Sequence, residues 1–104
     1  MSGRDFDGRT VMITGASGNL GRAVTAAFRA RGANVALVDR HRDHLESAFG
    51  SETRDMLFVT ADLVDAAGTA RAAQSAAERF RRIDVLANLA GGFRMGEPVH
   101  RTND

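Results

Sequence analysis

The 104-residue sequence contains no cysteine, lysine, tyrosine or tryptophan. Without cysteine, the chain can form neither a disulfide framework nor a thiolate metal site. The 14 lysine and arginine residues are all arginine, so no lysine amine is present for Schiff-base or acid–base chemistry. The lack of tyrosine removes the phenol that some enzymes use as a proton donor. Several classes of catalytic group are therefore excluded from this chain.

Long hydrophobic runs are also lacking. The longest are about five residues, whereas a membrane-spanning helix needs roughly 20. Residues 1–7 carry acidic side chains and no apolar core, unlike a signal peptide. A net charge of +1 provides no basic field for nucleic acid, and no helix-turn-helix or aromatic–basic pattern is present. We therefore expect a soluble, cytoplasmic protein that binds neither nucleic acid nor membranes.

Short apolar runs alternate with longer amphipathic ones along the chain, which predicts the order β-α-β-α-β-α-β. The apolar runs span residues 10–14, 34–38, 56–60 and 83–88. Because these runs are apolar at every position, they are typical of strands buried on both faces of a parallel sheet. The pattern predicts an α/β fold with a doubly wound, Rossmann-like parallel sheet, four strands in the order 3-2-1-4, and three helices.

The spacing of apolar residues also predicts which face each helix buries. The first helix follows a glycine-rich turn and has an apolar face made of Leu20, Val24, Ala27 and Phe28. The second spans residues 41–49 and buries Leu45, Ala48 and Phe49. The third spans residues 66–82 after an N-cap at Asp65, with an apolar face made of Ala66, Ala70, Ala73, Ala77 and Phe80.

The glycine-rich turn, residues 14–21, is the strongest candidate for a ligand site. Gly15 permits a tight turn, Gly18 lets a pyrophosphate approach the backbone, and Gly21 lets the helix pack closely. The amides and the dipole at the start of the helix favour negative charge. By itself, this glycine spacing also fits an ordinary strand-to-helix turn. Ser17 has no base nearby in the pattern, so phosphate contact is the better interpretation than a nucleophile.

Asp39 ends the second predicted strand, where a carboxylate can accept hydrogen bonds from both hydroxyls of an adenosine ribose. The same charge repels a 2′-phosphate, which favours NAD over NADP as the cofactor. Arg40 follows directly and could pair with a 2′-phosphate, so NADP stays open. An acid solvated at a strand end is the alternative interpretation of Asp39.

Taken together, these motifs resemble the N-terminal part of a short-chain dehydrogenase/reductase over residues 6–92. The matching features, in chain order, are the turn from Thr14 to Gly21, Asp39, Asp62–Leu63, Asp84 and Asn88–Leu89–Ala90–Gly91. The resemblance implies that Asp62 and Leu63 lie beside the adenine, and that Asn88, Ala90 and Gly91 border the nicotinamide ribose. It implies a pyrophosphate site made of Gly15, Ser17, Gly18, Asn19, Leu20 and Gly21.

Two residues depart from the family pattern. Asn19 stands where the commonest spacing has the middle glycine, and Gly18 comes one place earlier. Because asparagine tolerates a positive φ better than most residues, we expect the turn to form. Leu89 replaces the second asparagine of the fourth-strand motif, whereas Asn88 remains and is expected to tie that strand to its neighbour.

In this family the reaction is carried by a tyrosine, a lysine four residues after it, a serine and an asparagine, all beyond the fourth strand. No residue of this sequence is therefore given a catalytic role. The resemblance implies the cofactor-binding half of an oxidoreductase, with a dinucleotide-binding domain at residues 1–92 and an irregular tail at 93–104 that stops before the catalytic half. We expect this part to be inactive alone. The complete enzyme is expected to be a homo-oligomer that transfers hydride between nicotinamide and a small alcohol or carbonyl substrate.

Two alternatives remain at this stage. The chain could be a non-catalytic module that binds a dinucleotide or nothing. It could instead be part of an S-adenosylmethionine-dependent methyltransferase, although those enzymes usually carry an acid before the loop, where this chain has Thr14. His41 and His44 share a helix face but lack a third ligand, so no metal site is predicted.

Overall fold

Four parallel strands form one sheet in the order β3-β2-β1-β4 within residues 5–89, the part of the chain that the computed structural model describes. The elements are β1 (Thr10–Thr14), α1 (Asn19–Ala30), β2 (Asn34–Asp39), α2 (Arg42–Phe49), β3 (Met56–Thr60), α3 (Ala66–Phe80) and β4 (Val85–Asn88). The predicted doubly wound fold, strand order and three helices are confirmed.

The register of the strands brings their carboxyl ends to one edge of the sheet. Thr14, the last residue of β1, pairs with Val38 of β2 and with Asn88 of β4. Asp39 then pairs with Thr60, the last residue of β3. The turn after β1 therefore lies between the ends of two neighbouring strands, where chains of this topology form their ligand crevice.

The sheet is covered on both faces. One face packs against α1 and α2 through residues such as Val11, Leu37 and Leu45. The other packs against α3 through residues such as Met12 and Ala72. All of β1 is buried, whereas β4 alternates between half-buried and exposed residues. The apolar runs thus reflect burial on both faces only for the central strands.

The buried face of α1 differs from the prediction. Gly21 and Thr25 are buried, while Val24 and Phe28 are half-buried, as the spacing suggested. The predicted members Leu20 and Ala27 are exposed, and Leu20 is 63% exposed. Because Gly21 has no side chain, it makes the closest approach to the turn, and the helix is rotated accordingly.

The prediction for α3 was likewise wrong only in part, since the predicted Ala73 and Phe80 are half-buried against the core. Its buried residues are Gly68, Ala72 and Ala76, whereas the predicted Ala66, Ala70 and Ala77 are exposed. A Cβ on Gly68 would lie 2.2 Å from the carbonyl oxygen of Asp62. Gly68 is therefore the contact point that sets the rotation, and an alanine-rich helix offers little other signal to distinguish its faces.

The boundaries between α3 and β4 also shift. The helix ends at Phe80 rather than at residue 82, with Arg81 in the left-handed region at φ 72°. The strand begins at Val85 rather than at residue 83. Asp84 is instead a connector: its amide donates to the carbonyl oxygen of Thr10, and its carboxylate accepts from the Thr10 amide. Asp65 caps α3 as predicted, by accepting a hydrogen bond from the Ala67 amide at 3.0 Å.

None of the helices within residues 5–89 has the length and apolar character needed to cross a membrane.

Candidate functional site

The turn after β1 is clamped to the end of β2. Gly15 has φ 69°, a conformation that only glycine adopts readily. Its amide and that of Ala16 both donate to the carbonyl oxygen of Val38, at 2.9 and 3.2 Å. These two hydrogen bonds turn the chain sharply at the sheet edge and direct the following residues into α1.

The other two glycines of the turn differ in what they contact. A Cβ on Gly21 would lie 2.5 Å from the carbonyl oxygens of Gly15 and Ala16, so the helix start packs directly against the turn. A Cβ on Gly18 would meet only the Gly15 carbonyl oxygen, at 3.6 Å, which is an ordinary contact. The fold therefore requires glycine at position 21, whereas at position 18 the missing side chain leaves space outside the turn.

Asn19 does not adopt the positive φ that asparagine tolerates and that the sequence analysis considered for it. It is the first residue of α1, and Arg81 is the one non-glycine residue with positive φ among residues 5–89. The Asn19 side chain instead accepts a hydrogen bond from the Arg22 guanidinium at 2.9 Å. Moving the glycine to position 18 therefore leaves the turn intact, because residue 19 needs only a helical conformation.

The start of α1 has neither a side-chain cap nor an acidic residue in its first turn. The first amides of a helix have no partner within the helix and carry partial positive charge. At α3, Asp65 satisfies one such amide. At α1, the N-cap residue is Gly18, which cannot do so. The first turn of α1 therefore presents backbone donors beside the exposed Leu20 at the end of the sheet.

Asp39 is half-buried beside this turn and is oriented by it. One carboxylate oxygen, Oδ2, accepts hydrogen bonds from the Ser17 hydroxyl and from the Ser17 amide, the latter at 3.0 Å. The other, Oδ1, accepts from the Arg40 amide at 2.8 Å. Burial raises the pKa of this carboxyl, but the Ser17 and Arg40 hydrogen bonds and the nearby His44 together lower it overall. The group is therefore an oriented carboxylate at neutral pH.

A polar pocket adjoins Asp39 between the two helices on this face of the sheet. It has a volume of about 280 Å³ and is lined by Ser17, Arg22, His44, Ser47 and Ala48. Ser17 connects Asp39 to the pocket, since its hydroxyl donates to the Asp39 carboxylate and its side chain also lines the pocket. No pattern along the chain indicated this pocket, because α2 approaches the turn only in the folded protein.

Thr14 and Asn88 join β1 to β4 at the same edge. The Thr14 hydroxyl donates to Oδ1 of Asn88 at 2.7 Å and accepts from the Leu89 amide at 3.0 Å. The expectation that Asn88 ties its strand to a neighbour is therefore met. The part played by Thr14 was missed, although its place opposite Asn88 follows from the strand order.

The remaining predicted residues lie farther along the edge or outside the described chain. Asp62 is exposed just after β3, and its carboxylate accepts from the Val64 amide at 3.2 Å. Leu63 is half-buried against the α3-side core. Ala90 and Gly91 lie outside the described residues, as does the whole tail predicted at residues 93–104. The structure brings Ser17 and Asp39 into contact, and joins Thr14 to Asn88.

No metal-binding cluster is present in residues 5–89. His41 and His44 stack edge to face with their ring centres 5.0 Å apart. Without a third ligand, this pair does not form a metal site.

Comparison with known proteins gives a consistent match. A family model described as short chain dehydrogenase matches residues 9–104. A short chain dehydrogenase/reductase, dpmpG, from Macrophomina phaseolina is 38% identical over 96 residues, covering 88% of this chain and 55% of that protein. The chain spans only about half of this relative's length.

Solved structures agree on the fold. A short-chain dehydrogenase/reductase of the glucose/ribitol dehydrogenase type from Brucella melitensis superposes with a TM-score of 0.75 and 32% identity, covering 100% of this chain and 44% of that one. A 3-ketoacyl-(acyl-carrier-protein) reductase from the same organism, solved with NADH, gives a TM-score of 0.72 and 30% identity, covering 79% and 34%.

Proposed function

Since this chain belongs to the short-chain dehydrogenase family, we propose that residues 5–89 bind a nicotinamide dinucleotide as the cofactor-binding half of an oxidoreductase. The observation that carries this proposal is the uncapped start of α1 behind the Gly15 turn, with the oriented carboxylate of Asp39 beside it. The 3-ketoacyl-(acyl-carrier-protein) reductase that resembles this chain was solved with NADH, which supports the same cofactor class here.

The pyrophosphate would lie against the first turn of α1. The unpaired amides there suit a doubly charged group, and Gly18 leaves the approach open because nothing replaces its missing side chain. We assign this contact to the turn itself, namely Gly15, Ser17, Gly18, Asn19, Leu20 and Gly21. The fold needs glycine at position 21 for packing. Gly18 is not required in this way, so its missing side chain is the one that we assign to ligand binding.

The adenosine ribose would bind to Asp39. Its oxygens can accept from ribose hydroxyls, and the lowered pKa keeps the group charged at neutral pH. We propose that NAD is preferred over NADP, because a 2′-phosphate would meet this negative charge. Arg40 is exposed next to it and could offset part of the repulsion.

The other contacts extend along the sheet edge. We assign the adenine to Asp62 and Leu63, after β3, and the nicotinamide ribose to Asn88, Ala90 and Gly91, after β4. Asn88 is already oriented by its hydrogen bond from Thr14. Asp62, after β3, and Asn88, at the end of β4, lie on opposite sides of the turn, as an extended dinucleotide requires.

The bound nicotinamide supplies hydride transfer to or from an alcohol or carbonyl carbon. The residues of this chain hold and orient the cofactor. With no tyrosine or lysine in the sequence, we assign no proton-transfer role to any of its residues, and we expect this chain alone to bind the cofactor without turnover. A similar protein from Mycolicibacterium smegmatis is a D-threitol dehydrogenase, which supports a small alcohol or carbonyl compound as the substrate class.

The test is a calorimetric titration of the 104-residue protein with NAD⁺, NADP⁺ and S-adenosylmethionine. We expect saturable binding of NAD⁺ and none of S-adenosylmethionine. The matched variant is Gly18→Asp. Its backbone at φ −75° and ψ 172° suits an aspartate N-cap, so the melting temperature should hold or rise. Its charge at the pyrophosphate position should abolish NAD⁺ binding.

Two outcomes would contradict the proposal. One is an unaltered protein that folds but binds neither dinucleotide, which would favour the non-catalytic module. The other is undiminished NAD⁺ binding by a folded Gly18→Asp variant, which would place the dinucleotide elsewhere.

A further inference from the structure

The edge of the sheet where the strands begin, opposite the candidate site, carries a row of arginines. One arginine lies within three residues before the start of every strand, and in the order from β3 to β4 these are Arg54, Arg31, Arg9 and Arg82. All four are exposed. Neighbouring strands lie about 4.8 Å apart, so the four positions form a line across the sheet, which we call the arginine row.

The end of α3 adds two more arginines beside this row. Arg79, in the last turn of α3, donates to the carbonyl oxygens of Thr53 and Arg54 at 3.2 and 3.3 Å. These hydrogen bonds hold its guanidinium against the loop before β3, and they leave its other N–H donors available to a ligand. Arg81 is exposed just after the helix. The row is therefore widened at the β3 and β4 sides of the sheet.

Only part of this positive charge is neutralised within the chain. Arg31 pairs with Asp5 at 2.8 Å, and Arg82 pairs with Asp84 at 2.6 Å. The arginines of this edge that form no salt bridge within residues 5–89 are Arg9, Arg54, Arg79 and Arg81. Four guanidinium charges at this edge are therefore not paired with a carboxylate of the described chain.

The other acids of the loops before the strands are too few to balance these charges. Glu52 pairs with Arg42 of α2 at 2.9 Å, and Asp55 lies 3.8 Å from Arg29 at the end of α1. Among residues 5–89, that leaves Asp7 as the one further acid of these loops against four arginines. The edge is therefore basic.

Helix dipoles account for only part of this arrangement. The last turns of α1 and α3 favour cations, which explains Arg29 and Arg79. Arg9 and Arg54 instead precede strands, which have little net dipole. The opposite edge carries Asp39 at the end of β2. A chain with a net charge of only +1 therefore has a basic edge, and the field of that edge attracts an acidic partner away from the candidate site.

The surroundings of these arginines favour an acidic protein segment over a phosphate polymer or a bilayer. Asp5 and Asp84 lie among the arginines, so a uniformly negative surface would also meet these carboxylates. Stacking of bases needs accessible rings, but the chain has no tyrosine or tryptophan, and Phe6 packs against Phe28 with ring centres 5.1 Å apart. Insertion into a bilayer needs exposed apolar side chains. In residues 5–89 the large ones lie outside the row, at Leu20, Val64 and Leu86.

We propose that the arginine row, together with Arg79 and Arg81, is a docking surface for an acidic segment of a partner protein. A guanidinium binds a carboxylate through two parallel hydrogen bonds, so the four unpaired arginines hold the acidic side chains of the segment. The starts of β3 and β1, marked by Arg54 and Arg9, are two strand spacings or about 10 Å apart. Every third residue of an extended segment is separated by about the same distance. Because this surface and the cofactor site lie at opposite edges of the sheet, both can be occupied at once.

The probe is a fluorescent peptide of about 12 residues with glutamate at every third position and serine between, so that its carboxylates match the spacing of the row. It is titrated into the 104-residue protein at low salt, and fluorescence anisotropy gives the dissociation constant. A matched peptide carries glutamine in place of glutamate. We expect the acidic peptide to bind saturably, about tenfold or more tightly than the glutamine peptide, and to weaken as salt is added. The double variant Arg9→Gln with Arg54→Gln should weaken its binding by about fivefold to twentyfold.

A matched control separates the row from the overall charge of the chain. Arg22→Gln with Arg71→Gln removes two charges from exposed arginines that also form no salt bridge within residues 5–89, but that lie on α1 and α3 away from the row. This variant should bind the acidic peptide as the unaltered protein does. Because the side chains of Arg9 and Arg54 are exposed, both double variants should keep the melting temperature of the unaltered protein. Saturating NAD⁺ should leave the peptide affinity unchanged.

Three results would overturn this inference. Equal affinity for the acidic and the glutamine peptide, or an equal loss of affinity in the two double variants, would show that the row is not a docking surface. Tighter binding of a thymidine oligonucleotide of the same length, or of phosphatidylserine vesicles, that depends on Arg9 and Arg54 would show that the partner is not an acidic protein. None of these results bears on NAD⁺ binding, so the proposed function is tested separately.

Discussion

At the scale of single residues, the contact between Ser17 and Asp39 decides the character of the site. The serine donates twice to one carboxylate oxygen, so the acid is oriented before any ligand arrives. Orientation in advance lowers the entropy lost on binding. The other oxygen receives only the amide of the next residue, Arg40. Asp39 therefore has acceptor capacity left for a ribose.

The first prediction follows from that geometry. Replacing Asp39 with asparagine removes the charge that strengthens hydrogen bonds from ribose hydroxyls, while nearly preserving the shape. Hydrogen bonds to charged groups contribute about 1.5–3 kcal/mol, so we expect NAD⁺ to bind roughly 10- to 100-fold more weakly. The affinity for NADP⁺ should fall less, because the repulsion between the Asp39 charge and the 2′-phosphate disappears as well. Titration of both dinucleotides measures the change. Tighter binding of NADP⁺ than of NAD⁺ by the unaltered protein would show that Asp39 has been assigned wrongly.

At the scale of elements, glycines set how the helices dock. Gly21 and Gly68 each lie where a Cβ would come within 2.5 Å or less of a backbone carbonyl oxygen. In both cases the carbonyl belongs to the loop just before the helix. Each helix therefore packs on its own entry loop through its first turns, and the rest of its buried face follows from that contact.

The second prediction concerns α3. Gly68→Ala should lower the free energy of unfolding by about 2–3 kcal/mol, because the new methyl group overlaps the Asp62 carbonyl and α3 must shift. Helix propensity alone predicts the opposite, a gain of about 1 kcal/mol. The free energy of unfolding, measured by urea denaturation, distinguishes the expected loss from the expected gain. The matched change, Gly18→Ala, meets no such overlap and should lower stability by less than about 1 kcal/mol.

At the scale of the whole molecule, the two edges of the sheet are treated differently. The outer edge of β3 is partly satisfied, since the Phe58 amide donates to the Glu52 carboxylate at 2.8 Å and the Met56 amide pairs with the Thr53 carbonyl. Arg42 holds the other oxygen of Glu52 at 2.9 Å. On β4, Leu86 is 48% exposed. Because these amides of β3 already have hydrogen-bond partners, this edge is less able to pair with a strand of another chain.

The third prediction is a pH dependence of stability. The hydrogen bond from the Phe58 amide, followed by contacts with Arg42, holds the pKa of Glu52 below its ordinary value despite the opposing effect of burial. Its stabilising contribution is therefore complete above the unfolded-state pKa, about 4.3, and is lost as the pH falls through the lower folded-state value. The Glu52→Gln substitution should lower the free energy of unfolding by about 1 kcal/mol at neutral pH. The difference from the unaltered protein should vanish in acid.

Glu46→Gln is the control for this measurement. Glu46 pairs with the same arginine, Arg42, at 3.2 Å, but as an exposed pair within one helix turn. Exposed pairs of this kind contribute little, so its denaturation curves should follow those of the unaltered protein at every pH. Equal losses in the two variants would mean that the Phe58 contact adds nothing.

The strand order and the edge that carries the site were predictable from sequence because they depend on patterns repeated over several residues. Continuous apolar runs such as residues 34–38 identify strands buried on both faces, and parallel strands fix which ends meet. The faces of α1 and α3 were predicted only in part, because single glycines at positions 21 and 68 govern how these helices dock. Because glycine has no apolar side chain, a hydrophobic periodicity does not identify such contact points.

The sequence by itself determined the doubly wound sheet, the glycine turn and the carboxylate at the end of β2, since each depends on local pattern and chain order. The tertiary structure alone decided that Ser17 orients Asp39, that the Thr14 hydroxyl joins β1 to β4, and that α2 closes a pocket beside Arg22. These contacts join residues distant in sequence. They exist because packing brings the side chains within hydrogen-bonding distance, which no spacing along the chain encodes.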